Sequence, residues 1–141
     1  MTAPAAIRLF LVDDHPLVRD GLRARLGPLP GLEIVGEAGS ADEALALIAG
    51  VRADLVLADV GMKGMSGIEL ASHLHARQPE VRVLMLSMYD NPEYVQQALQ
   101  AGARGYVLKD APGAEVRAAI AGGGAGRTLL GSAGRRPVFH R

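Results

Sequence analysis

The sequence contains no cysteine and no tryptophan. The first absence excludes a disulfide scaffold, a thiolate metal site and a cysteine nucleophile, and it fits a reducing compartment. The second removes the side chain best suited to stacking on a flavin. Lysine is nearly absent too: Lys63 and Lys109 are the only two, against thirteen arginines. No apolar run approaches the ~20 residues of a membrane span. The N-terminal MTAPAAIRLFLVDD lacks a basic region ahead of its apolar stretch, so no secretory signal is read there. A cytoplasmic protein with no membrane contact is expected. Net charge is also zero, but the zero is uneven: residues 1–121 carry 11 basic and 15 acidic groups, while Arg127, Arg135, Arg136 and Arg141 stand in a tail with no acid. An acidic body binds nucleic acid poorly, so direct DNA binding is not expected.

What remains is the composition of one ordinary folded domain. The chain has 141 residues, of which 49% are hydrophobic and 21% charged, which excludes disorder over most of its length. Five apolar segments recur in one rhythm: IRLFLV (7–12), LEIVGE (32–37), DLVLAD (54–59), VRVLMLS (81–87) and GYVLK (105–109). Near-continuous Val/Ile/Leu runs mark strands buried on both faces, hence parallel strands covered by helices on both sides.

The intervening segments have helical periodicity. Pro16–Leu26 places Leu17, Val18, Leu22 and Leu26 on one stripe. Ser40-Ala41-Asp42-Glu43 has the spacing of a capping box at the head of a helix over 40–49. Gly67–Ala76 carries Ile68, Leu70, Ala71 and Leu74. Asn91–Ala101 opens with an Asn cap and Pro92, and Pro112–Ala121 opens with Pro and stops at Gly122-Gly123-Gly124. The pattern is (βα)5: an α/β doubly wound parallel sheet. Residues 1–121 form the domain, and 122–141, with six glycines, read as a flexible extension. A helix-turn-helix output domain would need several tens of residues more.

In such a sheet, ligands bind beyond the C-terminal ends of the strands. The polar residues falling there are Asp13 and Asp14, Asp59, Ser87 and Lys109, with Glu37 expected to be peripheral. A single Asp after a strand is more often a turn residue or a helix cap than a ligand. The joint pattern is more specific. Three carboxylates in one cleft repel and call for a cation. Oxygen-only donors favour Mg²⁺ or another hard cation. A bound metal leaves one carboxylate as a nucleophile toward phosphorus.

The set Val12-Asp13-Asp14-His15-Pro16, Asp59-Val60-Gly61-Met62, Ser87 and Lys109 resembles the receiver domain of bacterial two-component response regulators. The stretches DDHPLVRDGL and AGARGYVLKD are similar to the LuxR/NarL/FixJ-type subfamily, over about residues 6–121. The resemblance implies a flavodoxin-like fold with strand order 2-1-3-4-5. It implies Asp59 as phosphoacceptor, fed by a sensor histidine kinase or a small phosphodonor. Asp14 would bind Mg²⁺ directly and Asp13 mainly through water, with Asp59 and the Gly61 backbone carbonyl as further ligands. Ser87 and Lys109 would each hold a phosphoryl oxygen. Tyr106 would be an aromatic switch that turns inward when Ser87 moves; taken alone it reads as a half-buried aromatic on an edge strand. Such a chain is a signalling switch linked to transcription regulation, catalysing only its own phosphoryl transfer and autodephosphorylation, with a homodimer as a further partner. His15 is expected at a helix start without a ligand role.

Three positions depart from the family pattern. Lys63 stands where the family usually has proline, which should loosen the loop after Asp59 and alter phosphorylation or dephosphorylation rates. Asp110 follows Lys109 where many receivers have proline. Gly61 and Tyr89 occupy positions that tune autodephosphorylation in the family. Two other readings stay open at this point: a phosphorylation-independent receiver-like interaction module, and a small Mg²⁺-dependent phosphohydrolase or flavin protein on the same fold.

Overall fold

A computed structural model describes residues 6–88 and 91–124. Five strands alternate with five helices: β1 (Ile7–Val12), α1 (Pro16–Leu26), β2 (Leu32–Ala38), α2 (Ala41–Ile48), β3 (Leu55–Asp59), α3 (Gly67–Arg77), β4 (Arg82–Ser87), α4 (Pro92–Gln100), β5 (Gly105–Leu108) and α5 (Gly113–Gly124). The strands pair in parallel in the order β2-β1-β3-β4-β5. This is the flavodoxin-like (βα)5 sheet expected from the sequence.

Alternation along the strands sorts the core into two layers. Leu9, Leu11, Leu55, Leu57, Leu84, Leu86 and Val107 pack with α1 and α5. Phe10, Val12, Val56, Ala58, Val83, Met85 and Tyr106 pack with α2, α3 and α4. Because side chains alternate faces along a strand, the residue at each strand end inherits a side. Asp59 continues the Leu55–Leu57 series, Asp13 continues Leu9–Leu11, and Lys109 continues Val107. Ser87 continues Val83–Met85. The register sets Val12 beside Ala58 and Asp59 beside Leu86. Asp13, Asp59 and Lys109 therefore leave the sheet edge toward the same side.

Several expectations need correction. Leu17 is not on the buried stripe of α1 but 83% exposed; it precedes Val18 by one residue, and adjacent helical positions lie about 100° apart. Ser40 accepts a hydrogen bond from the Glu43 N–H, but the Glu43 carboxylate takes the Gly39 N–H, not that of Ser40. The complete capping box is Ser66–Glu69, at the head of α3. α5 runs through the Gly122–Gly124 stretch where its end is expected and is described to Gly124. Glycine lowers helix propensity by about 1 kcal/mol without forbidding helical backbone. The expected extension lies outside the described residues from 125 onward, as does Tyr89. No peptide among the described residues is cis.

Candidate functional site

The acidic turn grows directly out of β1. The Asp13 N–H still bonds to the Ala38 carbonyl of β2, at 3.1 Å. Beyond it the chain leaves the sheet and enters α1 at Pro16, with His15 as cap residue. Asp13 is fully buried. Its Oδ1 accepts the His15 N–H at 2.9 Å, and its Oδ2 faces Lys109 Nζ at 3.0 Å. Asp14 is more open; its Oδ2 accepts the Lys63 N–H at 3.1 Å.

Asp59 enters from the centre of the sheet. It is 5% exposed. Its Oδ1 accepts the Gly61 N–H at 3.2 Å and lies 3.2 Å from Lys109 Nζ. Asp59 is not sealed in: with His15, Gly61, Ser66, Ser87, Met88 and Lys109 it lines a cavity of about 330 Å³. Ligand atoms of Asp13, Asp14, His15 and Asp59 all lie within 4.8 Å of one another. The strand-end residues singled out in the sequence thus come together.

Electrostatics follow from this crowding. Burial, and next the charge of Asp13, push the Asp59 carboxyl above its ordinary value; Lys109 and the Gly61 N–H oppose the shift without cancelling it. Burial alone would lower Lys109, but the combined pull of Asp13 and Asp59 outweighs it, and the ammonium is held charged. At an effective dielectric near 20, like charges ~4 Å apart repel by about 4 kcal/mol. One lysine against three carboxylates leaves the cluster short of positive charge.

The residues fit a divalent cation. Asp13 Oδ2 and Asp14 Oδ1 are buried without a well-directed hydrogen bond, although each has a nitrogen nearby, Lys109 Nζ and His15 Nδ1 respectively. Buried acceptors left over in this way are expected to bind something, and an all-carboxylate set suits a hard cation such as Mg²⁺.

His15 differs from expectation, and Glu37 is peripheral as expected. His15 does begin a helix, but its ring nitrogen stands 3.1 Å from Asp13 Oδ1 and 2.9 Å from Asp14 Oδ1. Glu37 is outside the acidic cluster but holds Arg19 and Arg23 of α1, at 3.0 and 2.7 Å. Ser87 is buried at the end of β4, where its carbonyl accepts the Lys109 N–H at 2.8 Å. Tyr106 is not half-buried: it is 0% exposed, in the layer facing α2–α4.

The sequence marks Gly67 only as a helix start. A Cβ there would lie 2.1 Å from the Asp59 carbonyl oxygen, so only glycine lets α3 pack against the strand that carries Asp59. The signal available was a glycine directly behind the Ser66 cap.

Residues 9–121 match the response regulator receiver domain family. The chain belongs to that family. Its relatives include the DNA-binding transcriptional activator DevR/DosR of Mycobacterium tuberculosis, 46% identical over 124 residues, covering 88% of this chain and 57% of the relative. A probable transcriptional regulatory protein NarL of the same organism is 37% identical over 127 residues, covering 90% and 59%. The chain thus spans less than two-thirds of these curated relatives. The receiver domain of the putative response regulator NarL from M. tuberculosis superposes with a TM-score of 0.83 at 38% identity, covering 88% of this chain and all of that one. A LuxR-family two-component response regulator from Aurantimonas gives 0.86 at 36% identity, covering 91% of each. The chain is therefore a two-component receiver domain with NarL/DevR-type relatives, and domains of this family are generally signalling switches. Receiver domains bind Mg²⁺ at such an acidic pocket. Among the described residues no helix is long and apolar enough to cross a membrane.

Proposed function

We propose that Asp59 accepts a phosphoryl group from a sensor histidine kinase in the cytoplasm, and that the resulting acyl phosphate switches the domain's contacts in a pathway linked to transcription. The observation that carries this reading is the gathering of Asp13, Asp14 and Asp59 within 4.8 Å, with Lys109 3.2 Å from Asp59, beside an open cavity.

Asp59 Oδ1 is engaged by Gly61 and Lys109, so Oδ2 is the oxygen that attacks. Its electron pair forms the new O–P bond. The P–N bond to the donor imidazole breaks, and its electron pair returns to the ring, which takes up a proton. The transition state is loose, with charge spread over the phosphoryl oxygens, so positioning and neutralisation dominate. Lys109, already charged and pointed at Asp59, holds one oxygen; the Ser87 hydroxyl, lining the same cavity, receives another. Asp13, Asp14, Asp59 and the Gly61 carbonyl would hold Mg²⁺, which neutralises charge on the transferring group. Hydrolysis of the acyl phosphate by water resets the switch.

Ser87 and Tyr106 belong to the layer packed on α2–α4. Movement of the Ser87 hydroxyl toward the phosphoryl group changes the packing around Tyr106, and that layer carries the signal to a protein partner or a second copy of the chain. The receiver unit is read as residues 1–121, in keeping with the family match over 9–121. Incubation with acetyl phosphate and Mg²⁺ tests the reading by mass spectrometry. An adduct of ~80 Da, absent in Asp59→Ala, is expected; no adduct on the wild-type chain would overturn it.

A further inference from the structure

Arg19, one turn into α1, points back at the acidic turn. Its side chain is 19% exposed. Nη1 donates to the Asp13 carbonyl at 2.5 Å, and Nε donates to Glu37 Oε1 at 3.0 Å. The other Glu37 oxygen accepts from Arg23 at 2.7 Å. Gly39 leaves room for the guanidinium: a Cβ there would approach Nη1 to 3.3 Å. Asp13 is the first residue past β1, so its carbonyl has no place in the sheet ladder, and Arg19 supplies the donor. The Asp13 N–H is held by Ala38. The Asp13 backbone is thereby held at both its N–H and its carbonyl, the latter belonging to the peptide that joins Asp13 to Asp14.

We propose that Arg19 is a positioning residue of the phosphorylation site, held by Glu37, which orients the Asp13–Asp14 peptide so that the Asp14 carboxylate faces the divalent cation. The inference rests on the proposed Mg²⁺-dependent reading. Geometry favours arginine for this task. A planar fork reaches a carbonyl and a carboxylate together; a lysine ammonium at the end of its stem reaches one. Residues that orient metal ligands in this way typically change metal affinity 10–100-fold when removed.

The experiment measures Mg²⁺ affinity by calorimetry for folded wild type, Arg19→Ala, Arg19→Lys and Glu37→Gln, with acetyl phosphate rates at limiting and saturating Mg²⁺. The Asp14 and His15 amide resonances are recorded in metal-free protein. Expected are roughly 10-fold weaker Mg²⁺ binding in Arg19→Ala, a smaller loss in Glu37→Gln, partial recovery in Arg19→Lys, and rates that converge at saturating Mg²⁺. The two amides should shift in the metal-free variants. Wild-type affinity and unmoved amides in Arg19→Ala would overturn the proposal, whatever that variant's melting temperature. If Arg19→Ala does not fold, Glu37→Gln decides by the same criteria. Absence of Mg²⁺ binding by wild type would instead sink the underlying reading, while the amide shifts still report on the clamp.

Discussion

Lys63 offers the sharpest test of how the loop after Asp59 acts on the metal site. Its backbone N–H donates to Asp14 Oδ2 at 3.1 Å, and a proline has no N–H to give. Lys63→Pro therefore removes a hydrogen bond to a charged acceptor, worth about 1.5–3 kcal/mol where buried. Lys63 is exposed and Asp14 partly so, which places the contact near 1 kcal/mol. Proline offsets part of this by restricting the unfolded chain, by about 0.4–1 kcal/mol. Metal-free stability should consequently change by less than about 1 kcal/mol.

Metal affinity is more sensitive. The same carboxylate serves the N–H and the cation, and a cation drawing on Asp14 weakens the hydrogen bond. Losing that bond costs more in the free protein than in the bound one, so Mg²⁺ binding tightens. A difference of about 1 kcal/mol corresponds to roughly fivefold. Lys63→Ala is the necessary comparison, because it loses the ammonium but keeps the N–H. Calorimetric titration should find Lys63→Pro binding Mg²⁺ about fivefold more tightly than Lys63→Ala, with acetyl phosphate rates separated at limiting Mg²⁺ and merged at saturation. Equal affinities of the two variants would refute the argument. A difference between wild type and Lys63→Ala that vanishes in high salt would be assigned to the side-chain charge.

Four further outcomes are expected. Lys109→Met leaves Asp13 and Asp59 buried without their cation, and in EDTA should lose about 3 kcal/mol in urea unfolding; an unchanged midpoint would show that the ion pairs are not holding the site. In metal-free buffer the folded Asp59 keeps its proton above the ordinary value of 3.8, because of burial and then Asp13. The carboxylate's contribution to stability therefore declines as pH rises from that value. Asp59→Asn should remove this decline, so thermal melts of variant and wild type diverge in the variant's favour toward neutral pH, and parallel curves would contradict the assignment. Mg²⁺ at 100 times its dissociation constant should stabilise the wild type by about 2.7 kcal/mol, reversibly with EDTA; Asp14→Asn should abolish the effect in a thermal-shift assay. Gly67→Ala must move α3 off the Asp59 carbonyl, costing up to about 3 kcal/mol by overpacking and slowing phosphorylation; a wild-type melt with wild-type rates would mean that the contact relaxes freely.

The fold was legible because the central strands β1, β3 and β4 are covered on both faces, which writes them as near-continuous apolar runs, while β2 at the sheet edge is only half-alternating. The site was legible for a related reason. An apolar run that ends abruptly in Asp13, Asp59, Ser87 or Lys109 announces the sheet edge, and parallel strands share one edge. Contacts made by long side chains or by the backbone left no such mark. Arg19 looked like one of several polar residues on α1, and its fork to Asp13 and Glu37 depends on the α1–β2 approach. The Lys63 N–H carries no residue signature at all. Leu17 was misplaced because adding a neighbour to an apolar stripe by composition ignores the angle between them.

The sorting of the core supplies the remaining link between site and signal. Leucines on β1, β3 and β4 face α1 and α5, while smaller or aromatic residues face α2–α4. That alternation continues past the last core residues, so Asp13, Asp59 and Lys109 emerge on one side while Ser87 and Tyr106 belong to the other. On the proposed reading, a phosphoryl group on Asp59 is held by Lys109 from the first side and reached by Ser87 from the second, and so it bridges the two layers at the sheet edge. The layer that must yield is the one containing Tyr106, whose fully buried ring cannot move without displacing its neighbours. A local change in charge thereby becomes a change in packing on the α4 side, and Tyr106→Ala should leave Asp59 able to accept phosphate while uncoupling phosphorylation from any change in α4 amide resonances.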